Sequence, residues 1–409
     1  RVFSALQLPV LVAQIAIKCA TLLEANESFD PSKNGIEERS KILEDEKVVQ
    51  SFWMEAAPIL AEKTLEAFRA KKSFTNAVST GKFSQDLQLG GLSAFYLGLD
   101  GVIGLPRLKF LEAMEDEHSS RESFEGFNQG EQRKTSPSHE FLRVLPDGIG
   151  GRINNMDYEG TRACFEGAYE QHPKAVQAGL IKAEVVALRL YTSPMYKRYN
   201  DKLRQLLTKY LELRKSHTSE GAEHDAKILA KAKDELMVDG DSFVTTIHAI
   251  ASGLLKLSRI SPEEGKVYRG IHGKNLPDCF LRPHKSGGRG GVEYGFLSTS
   301  KEKKEAMRYA VAGGHSDMPI VFEIMLGMVD RGADLEWITY FPGEAEICLP
   351  PLSNLELSGL PRYEWVNDEE VVAEGRRQPG SGSTLVMILP LQANVNFKGF
   401  TLDELEERR

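Results

Sequence analysis

From about residue 2 to residue 69, apolar positions recur three and four apart with charges between them, the spacing of helices that bury one face. Residues 36–49 and 52–68 carry it best, with Pro58 kinking or restarting the second stretch. Residues 90–114 are richer in glycine and aromatics. The following stretch, 115–138, is dense in Ser, Glu, Gln, Arg and Lys and reads as a mobile linker. A glycine-rich patch lies at 147–152. Helical spacing returns from Tyr158, with helices expected over 175–192, 196–213, 227–236 and 243–257 and a polar connection at 217–225. After Ser261 and Pro262 the period changes to two. Residues 267–270, 294–299, 320–325, 345–349, 352–357 and 384–391 read as strands. Between them 301–311 reads as a helix capped by Thr299 or Ser300, with Glu302 in capping-box position after Thr299. Helices first and strands afterwards make an α+β domain. The expected division is a mostly helical N-terminal module, 1–157, and an α+β domain, 158–409, able to fold alone from about Tyr158.

Length supports that division, since 409 residues exceed one ordinary core. With 41% hydrophobic and 27% charged residues the profile is soluble and globular. A net charge of -8 argues against nucleic acid as the main partner. The apolar run 6–23 is interrupted by Pro9, Gln14 and Lys18. It is too short and broken to span a bilayer and reads as a buried helix. Cys19, Cys164, Cys279 and Cys348 are scattered without metal-ligand spacing, as reduced thiols of an intracellular protein. The chain opens at Arg1 rather than Met, so targeting is left open.

Three strand-borne elements carry candidate chemistry. VYRG places Arg269 late in a short strand. YGFLSTS places Ser298, Thr299 and Ser300 at a strand end before a helix. YFPGEAEICLPP places Glu344 and Glu346 on either side of Ala345 as the chain enters a strand, so that both carboxylates would share one face. The Phe341-Pro342-Gly343 turn before them can present a recognition residue. Taken singly each element is ordinary: an arginine on a strand is usually solvated, Ser-Thr-Ser before a helix is usually a cap, and Glu-x-Glu is usually a solvated strand face. Tyr294 and Phe296 read as core. The glycine run 287–291 lacks the Lys-Ser/Thr ending of a phosphate loop and reads as a turn. The cluster Glu112, Glu115, Asp116, Glu117 and His118 lacks metal-binding spacing and reads as a helix end.

Together, and in this order, the three elements resemble the mono-ADP-ribosyltransferases, in the branch that includes arginine-modifying toxins and ecto-enzymes. The text ALRLYTSPMYKRYNDKLR, residues 187–204, resembles that family's helical lobe, where an aromatic-Thr pair precedes an Asn and a Leu-Arg. The resemblance covers roughly 158–391. It implies two packed, mostly antiparallel sheets with a helical lobe, NAD as co-substrate, no metal, and a protein acceptor. Cleaving nicotinamide from ribose develops positive charge on the sugar, which a fixed carboxylate stabilises. Glu346 takes that role, Ser298 orients it or touches the ribose, and Arg269 offers a fork to the pyrophosphate. Gly270 would let the backbone approach the nicotinamide amide, and Thr299 and Ser300 complete the expected dinucleotide site. Glu344 meets the nucleophile. In the family a carboxylate at this position accompanies arginine as acceptor, and a glutamine accompanies asparagine or another acceptor. Two other readings remain: an NAD glycohydrolase that gives ADP-ribose to water, and a non-enzymatic binding module that keeps the fold.

Overall fold

A computed structural model describes residues 78–79, 102, 105–128, 131–156, 169–215, 227–228, 231–232, 243–261, 265–271, 276, 278–281, 289–311, 319–327, 330–341, 343–367, 383–395 and 401–407. The chain divides into two compact units, 1–73 with 273–278 and 74–272 with 279–409, and the second holds nearly all described residues. The helices expected at 36–49 and 52–68, the run 6–23, the connection 217–225 and most of the helix expected at 227–236 lie outside the described residues.

In chain order the elements are β1 (Val78–Ser79), α1 (Arg107–Glu117), β2 (Phe124–Asn128), β3 (Glu131–Thr135), α2 (Pro137–Val144), α3 (Pro173–Ala178), α4 (Lys182–Tyr191), α5 (Tyr196–Lys215), α6 (Val244–Ile260), β4 (Gly265–Ile271), α7 (Asp278–Leu281), β5 (Gly290–Glu293), β6 (Leu297–Ser300), α8 (Lys303–Val311), β7 (Ile320–Leu326), β8 (Ala333–Asp334), β9 (Glu346–Leu349), β10 (Ser353–Leu357), β11 (Arg362–Asn367), β12 (Ser383–Asn394) and α9 (Leu402–Glu407). Helices then strands form an α+β fold. Among the described residues, nine of the ten strands of the main sheet follow one hydrogen-bonded path, β1-β5-β10-β12-β7-β4-β6-β9-β8, and the tenth, β11, lies beside β12. Every pairing is antiparallel except β12 with β7. A single residue pair, Tyr268 with Ser300, links β4 to β6. The path is therefore pinched where the two expected sheets would meet. The candidate residues sit at this pinch: Arg269 on β4, Ser298 on β6 and Glu346 on β9.

The helical lobe is built around α6, whose residues 244–258 are all buried. A helix buried on every side belongs at the centre of a lobe. The single helix expected over 175–192 is two helices, because Gly179 adopts φ 66 at the end of α3 and its left-handed backbone stops the helix. The stretch 115–138, expected to be a mobile linker, instead holds the end of α1 and the antiparallel hairpin β2–β3. Phe124 and Phe127 of FEGFN fall on opposite faces of the strand, so no alternation of apolar and polar residues announced it.

Residues 105–156 also belong to this lobe. Phe110, Leu111 and Met114 of α1, and Phe141 and Val144 of α2, share one buried core with α4 and α6. The Glu117 carboxylate accepts from the Thr245 and Thr246 amides at 2.6 and 3.0 Å, and from the Thr246 hydroxyl at 2.7 Å, capping the first turn of α6. The neighbouring His118 ring bridges the Met114 carbonyl at 2.6 Å and the Tyr199 hydroxyl at 2.8 Å, and burial pushes its pKa down to about 4. These bonds absorb two members of the acidic cluster near residue 115, and among the described residues no group of His, Cys, Asp or Glu converges as a metal site. A boundary at residue 157 thus runs through a packed unit. Among the described residues no helix is long and apolar enough to cross a membrane.

Candidate active site

Register builds the site. On β6 and β9, Ser298 lies opposite Cys348, Thr299 opposite Ile347, and Ser300 opposite Glu346. Because side chains alternate faces, Ser298, Ser300 and Glu346 share one face while Thr299 and Ile347 point the other way. Burial follows the same alternation along β6, with Leu297 and Thr299 buried and Ser298 and Ser300 partly open. The Ser298 hydroxyl donates to Glu346 Oε1 at 2.6 Å across this diagonal. Arg269, one strand over, donates from Nη1 to the Ser298 carbonyl at 2.9 Å. Arginine, serine and glutamate, far apart in sequence, are therefore brought together.

Glu346 is 6% exposed. Burial pushes its pKa up to about 7, while the Ser298 hydrogen bond and the Arg269 charge hold it from rising further. Behind it lie the buried Cys348 thiol and the buried Tyr191 ring, whose hydroxyl has no hydrogen bond of good geometry. A carboxylate so placed has shed most of its water, and a cation arriving beside it would be held strongly. The measurable consequence is pH dependence. Nicotinamide release that needs ionised Glu346 should fall as pH drops through about 7 in kcat/KM, which reports the free protein. Ser298→Ala removes a bond that favours the ionised form, so its profile should shift to higher pH. A flat profile from pH 5 to 9 would mean that Glu346 does not act as a carboxylate.

Glu344 is placed differently from expectation. It is exposed, in a turn that precedes β9 rather than on the strand. Gly343 has φ 95 and Ala345 has φ 44, so strand alternation does not relate Glu344 to Glu346. A left-handed alanine costs on the order of 1 kcal/mol and persists only where surroundings impose it. Here the Ser300 hydroxyl donates to the Glu344 carbonyl at 2.8 Å and the Lys301 amide to the Ala345 carbonyl at 3.2 Å. The Thr299 hydroxyl donates to the Ile347 carbonyl at 2.6 Å. Thr299 and Ser300 thus brace the Glu344–Ile347 segment, and Thr299 is not on the site face. Ser300 also accepts from the Glu302 amide at 3.0 Å, at the start of α8. Gly270 lies in the β4–β7 ladder opposite Val321, and a side chain there would come within 2.1 Å of the Ala306 carbonyl of α8. Close packing of β4 under α8 accounts for that glycine.

Sequence reasoning missed two aromatics. Tyr196 begins α5 and Tyr309 lies on α8, both exposed. Crowding around the Tyr196 hydroxyl raises its pKa, its neighbour Tyr309 raises it further, and Arg269 and Glu344 act on it in opposite directions. The Tyr196 hydroxyl is thus within electrostatic reach of Arg269 and Glu344, with Tyr309 as its neighbour. Their only signal in the sequence was the interruption of polar helix faces by tyrosine. Tyr294 and Phe296 are fully buried, as expected of core residues. Asn200 fastens the approach to β6, accepting from the Phe296 amide at 2.7 Å, and Arg204 pairs with the buried Glu293 at 3.2 Å.

Comparison with solved structures finds ADP-ribosyltransferase HopU1 of Pseudomonas syringae pv. Tomato DC3000 at 21% identity, covering 62% of this chain and 95% of that one, with a TM-score of 0.33. The ATR domain of Salmonella SpvB matches at 18% identity over 52% of this chain and all of its own, with a TM-score of 0.29. The catalytic domain of VahC from Aeromonas hydrophila matches at 20% identity over 53% of this chain and all of its own, with a TM-score of 0.28. No curated protein matches the chain in sequence. The assignment rests instead on a family match: residues 169–374, half of the chain, fit the ADP-ribosyltransferase exoenzyme family, and the segment contains Arg269, Ser298, Glu344 and Glu346. The chain belongs to the ADP-ribosyltransferase exoenzyme family, transferases that use NAD as substrate.

Proposed function

We propose that this chain transfers ADP-ribose from NAD to the guanidinium group of an arginine on a protein acceptor, with release of nicotinamide. The observation that carries the reading is the contrast between two carboxylates at one strand entrance, Glu346 buried against Ser298 and Glu344 exposed in the preceding turn. Groups so differently placed suit different tasks. The dinucleotide supplies an ADP-ribosyl group on a good leaving group. Glu346 stabilises positive charge at the ribose as the bond to nicotinamide breaks. Arg269 offers a charged fork to the pyrophosphate. Glu344 pairs with the incoming guanidinium and receives the proton released when its nitrogen bonds to the ribose carbon. Ser298 keeps Glu346 in place.

Hydrolysis by water is the second reading, and Glu344 separates the two, because water needs no carboxylate to orient a cation. Glu344→Gln is expected to lose arginine modification by roughly 10²-fold or more while keeping NAD hydrolysis within a few-fold. Nicotinamide release with and without agmatine, a small guanidino acceptor, together with mass spectrometry of modified proteins, measures both. A parallel fall of the two activities would place Glu344 in the NAD site and remove the main support for arginine. No nicotinamide release under any condition would leave a binding module.

A further inference from the structure

The turn that carries Glu344 is fastened from below by a buried cation. Arg189, in α4, has no exposed surface and sits among the largest buried side chains of the protein. Its Nη1 donates to the carbonyls of Ile338 and Thr339 at 2.6 and 2.7 Å, and its Nη2 to the carbonyl of Met156. The guanidinium carbon lies 3.4 Å from the centre of the Tyr340 ring and 4.9 Å from that of Tyr169. Three residues on, just past the end of α4, the Thr192 hydroxyl accepts from the Tyr340 amide at 3.3 Å. The end of α4 therefore holds three consecutive residues, 338–340, immediately before the turn that displays Glu344.

Burying a guanidinium is costly, and an apolar residue of similar volume often serves stability as well or better. An arginine retained here has a use that bulk does not supply. Its planar fork reaches three carbonyls from two separate segments while its face stacks on Tyr340, which fixes direction as well as distance. Glu346 is held by the ladders of β9 with β6 and β8 and by Ser298, while the Ser300 hydroxyl and the Lys301 amide hold the Glu344–Ala345 end of the turn. The Arg189 side chain bonds only the 338–340 end of the turn and none of the β6–β9 ladder.

We infer that Arg189 is a positioning residue for the acceptor step: it aims the 338–345 segment, and with it Glu344, at the incoming guanidinium, while leaving NAD cleavage to the β6–β9 support. This rests on the proposed arginine transfer. Arg189→Met keeps volume and removes the fork. In this variant, transfer to agmatine should fall about 100-fold, the scale for a catalytic group misplaced by an ångström, and NAD hydrolysis should stay within about 3-fold. Arg189→Lys, which keeps a charge and some donors but loses the stacked fork, should recover part of the transfer. Thr192→Val, a milder change, removes the Tyr340 amide's acceptor together with the hydroxyl's bond to the Arg189 carbonyl, and should reduce transfer by about 5-fold, again with hydrolysis kept.

The experiment measures both activities and the melting temperature of all three variants beside the unsubstituted protein. Selective loss of transfer in folded variants, with partial recovery by lysine, supports the inference. Transfer and hydrolysis falling in equal proportion, or neither changing, in folded protein overturns it and makes Arg189 a core residue only. If Arg189→Met does not fold, Thr192→Val decides by the same criterion. If the unsubstituted protein releases nicotinamide but never modifies agmatine, the arginine reading fails first, which is a separate result.

Discussion

Replacing Glu346 with glutamine should cut nicotinamide release by roughly 10²–10³-fold or more, whether the acceptor is water or a guanidine, while making the protein more heat-stable at pH 8. The loss follows from removing the one buried carboxylate of the site. The gain follows from the same burial. In the folded chain the carboxyl keeps its proton up to about 7, against about 4.5 for an ordinary glutamate. Folding therefore takes up a proton between these values. The stability this group allows is full below pH 4.5, declines as pH rises towards 7, and stays reduced above it. A displacement of this size corresponds to about 3 kcal/mol. Glutamine keeps the shape and hydrogen bonding without the charge, so the variant should melt several degrees higher at pH 8 and nearly level with the parent at pH 4.5. Calorimetric scans at both pH values, with nicotinamide assays on the same samples, test this. Turnover within a few-fold of the parent would remove Glu346 from the mechanism, and a lower melting temperature at pH 8 would show that its buried charge is not a burden.

A chain beginning at residue 158 should fail to fold. It would lack Phe110, Leu111, Met114, Phe141 and Val144 from the core shared with α4 and α6, along with the Glu117 cap on α6 and the Met156 carbonyl that accepts from Arg189. Deleting buried side chains of this size costs about 2–5 kcal/mol each, and their sum exceeds the roughly 5–15 kcal/mol that holds an ordinary domain together. Phe110→Ala is the graded version. It should lower the melting temperature by about 10 °C and leave turnover per folded molecule unchanged at low temperature. Circular dichroism and thermal melting of the shortened chain decide the matter. A cooperative transition with native helix content would mean that α1 and α2 are dispensable, as the composition of the chain by itself suggests.

Much of the site was legible in the sequence because its chemistry sits on strands. Alternation placed 267–270, 320–325 and 384–391 on strands that form, and the order of three strand-borne elements, resembling a known family, marked Arg269, Ser298 and Glu346. The helices at 196–213 and 243–257 were equally legible, since a face repeating every three to four residues is a local property. The α+β class followed from the order of these patterns.

Other features depended on partners distant in the chain. A polar hairpin at 124–135 looked like a linker, because a strand stabilised by its neighbour leaves little mark on its own composition. The core role of α1 and α2 needed α4 and α6 to be seen beside them. Glu344 and Glu346 are two apart in sequence and would share a face on a strand, but Ala345 at φ 44 takes Glu344 out of the strand into a turn. Bonds from the Ser300 hydroxyl and the Lys301 amide hold that conformation, and no pattern of residues announces them. Gly270 looked like an opening for a ligand, and the helix packed against it shows why a side chain is absent. The sequence by itself marked Arg269, Ser298, Glu344 and Glu346 as candidates for one site. Tertiary structure decided which carboxylate is buried, which is exposed and what holds each, because burial and a left-handed turn come from packing rather than from neighbours along the chain.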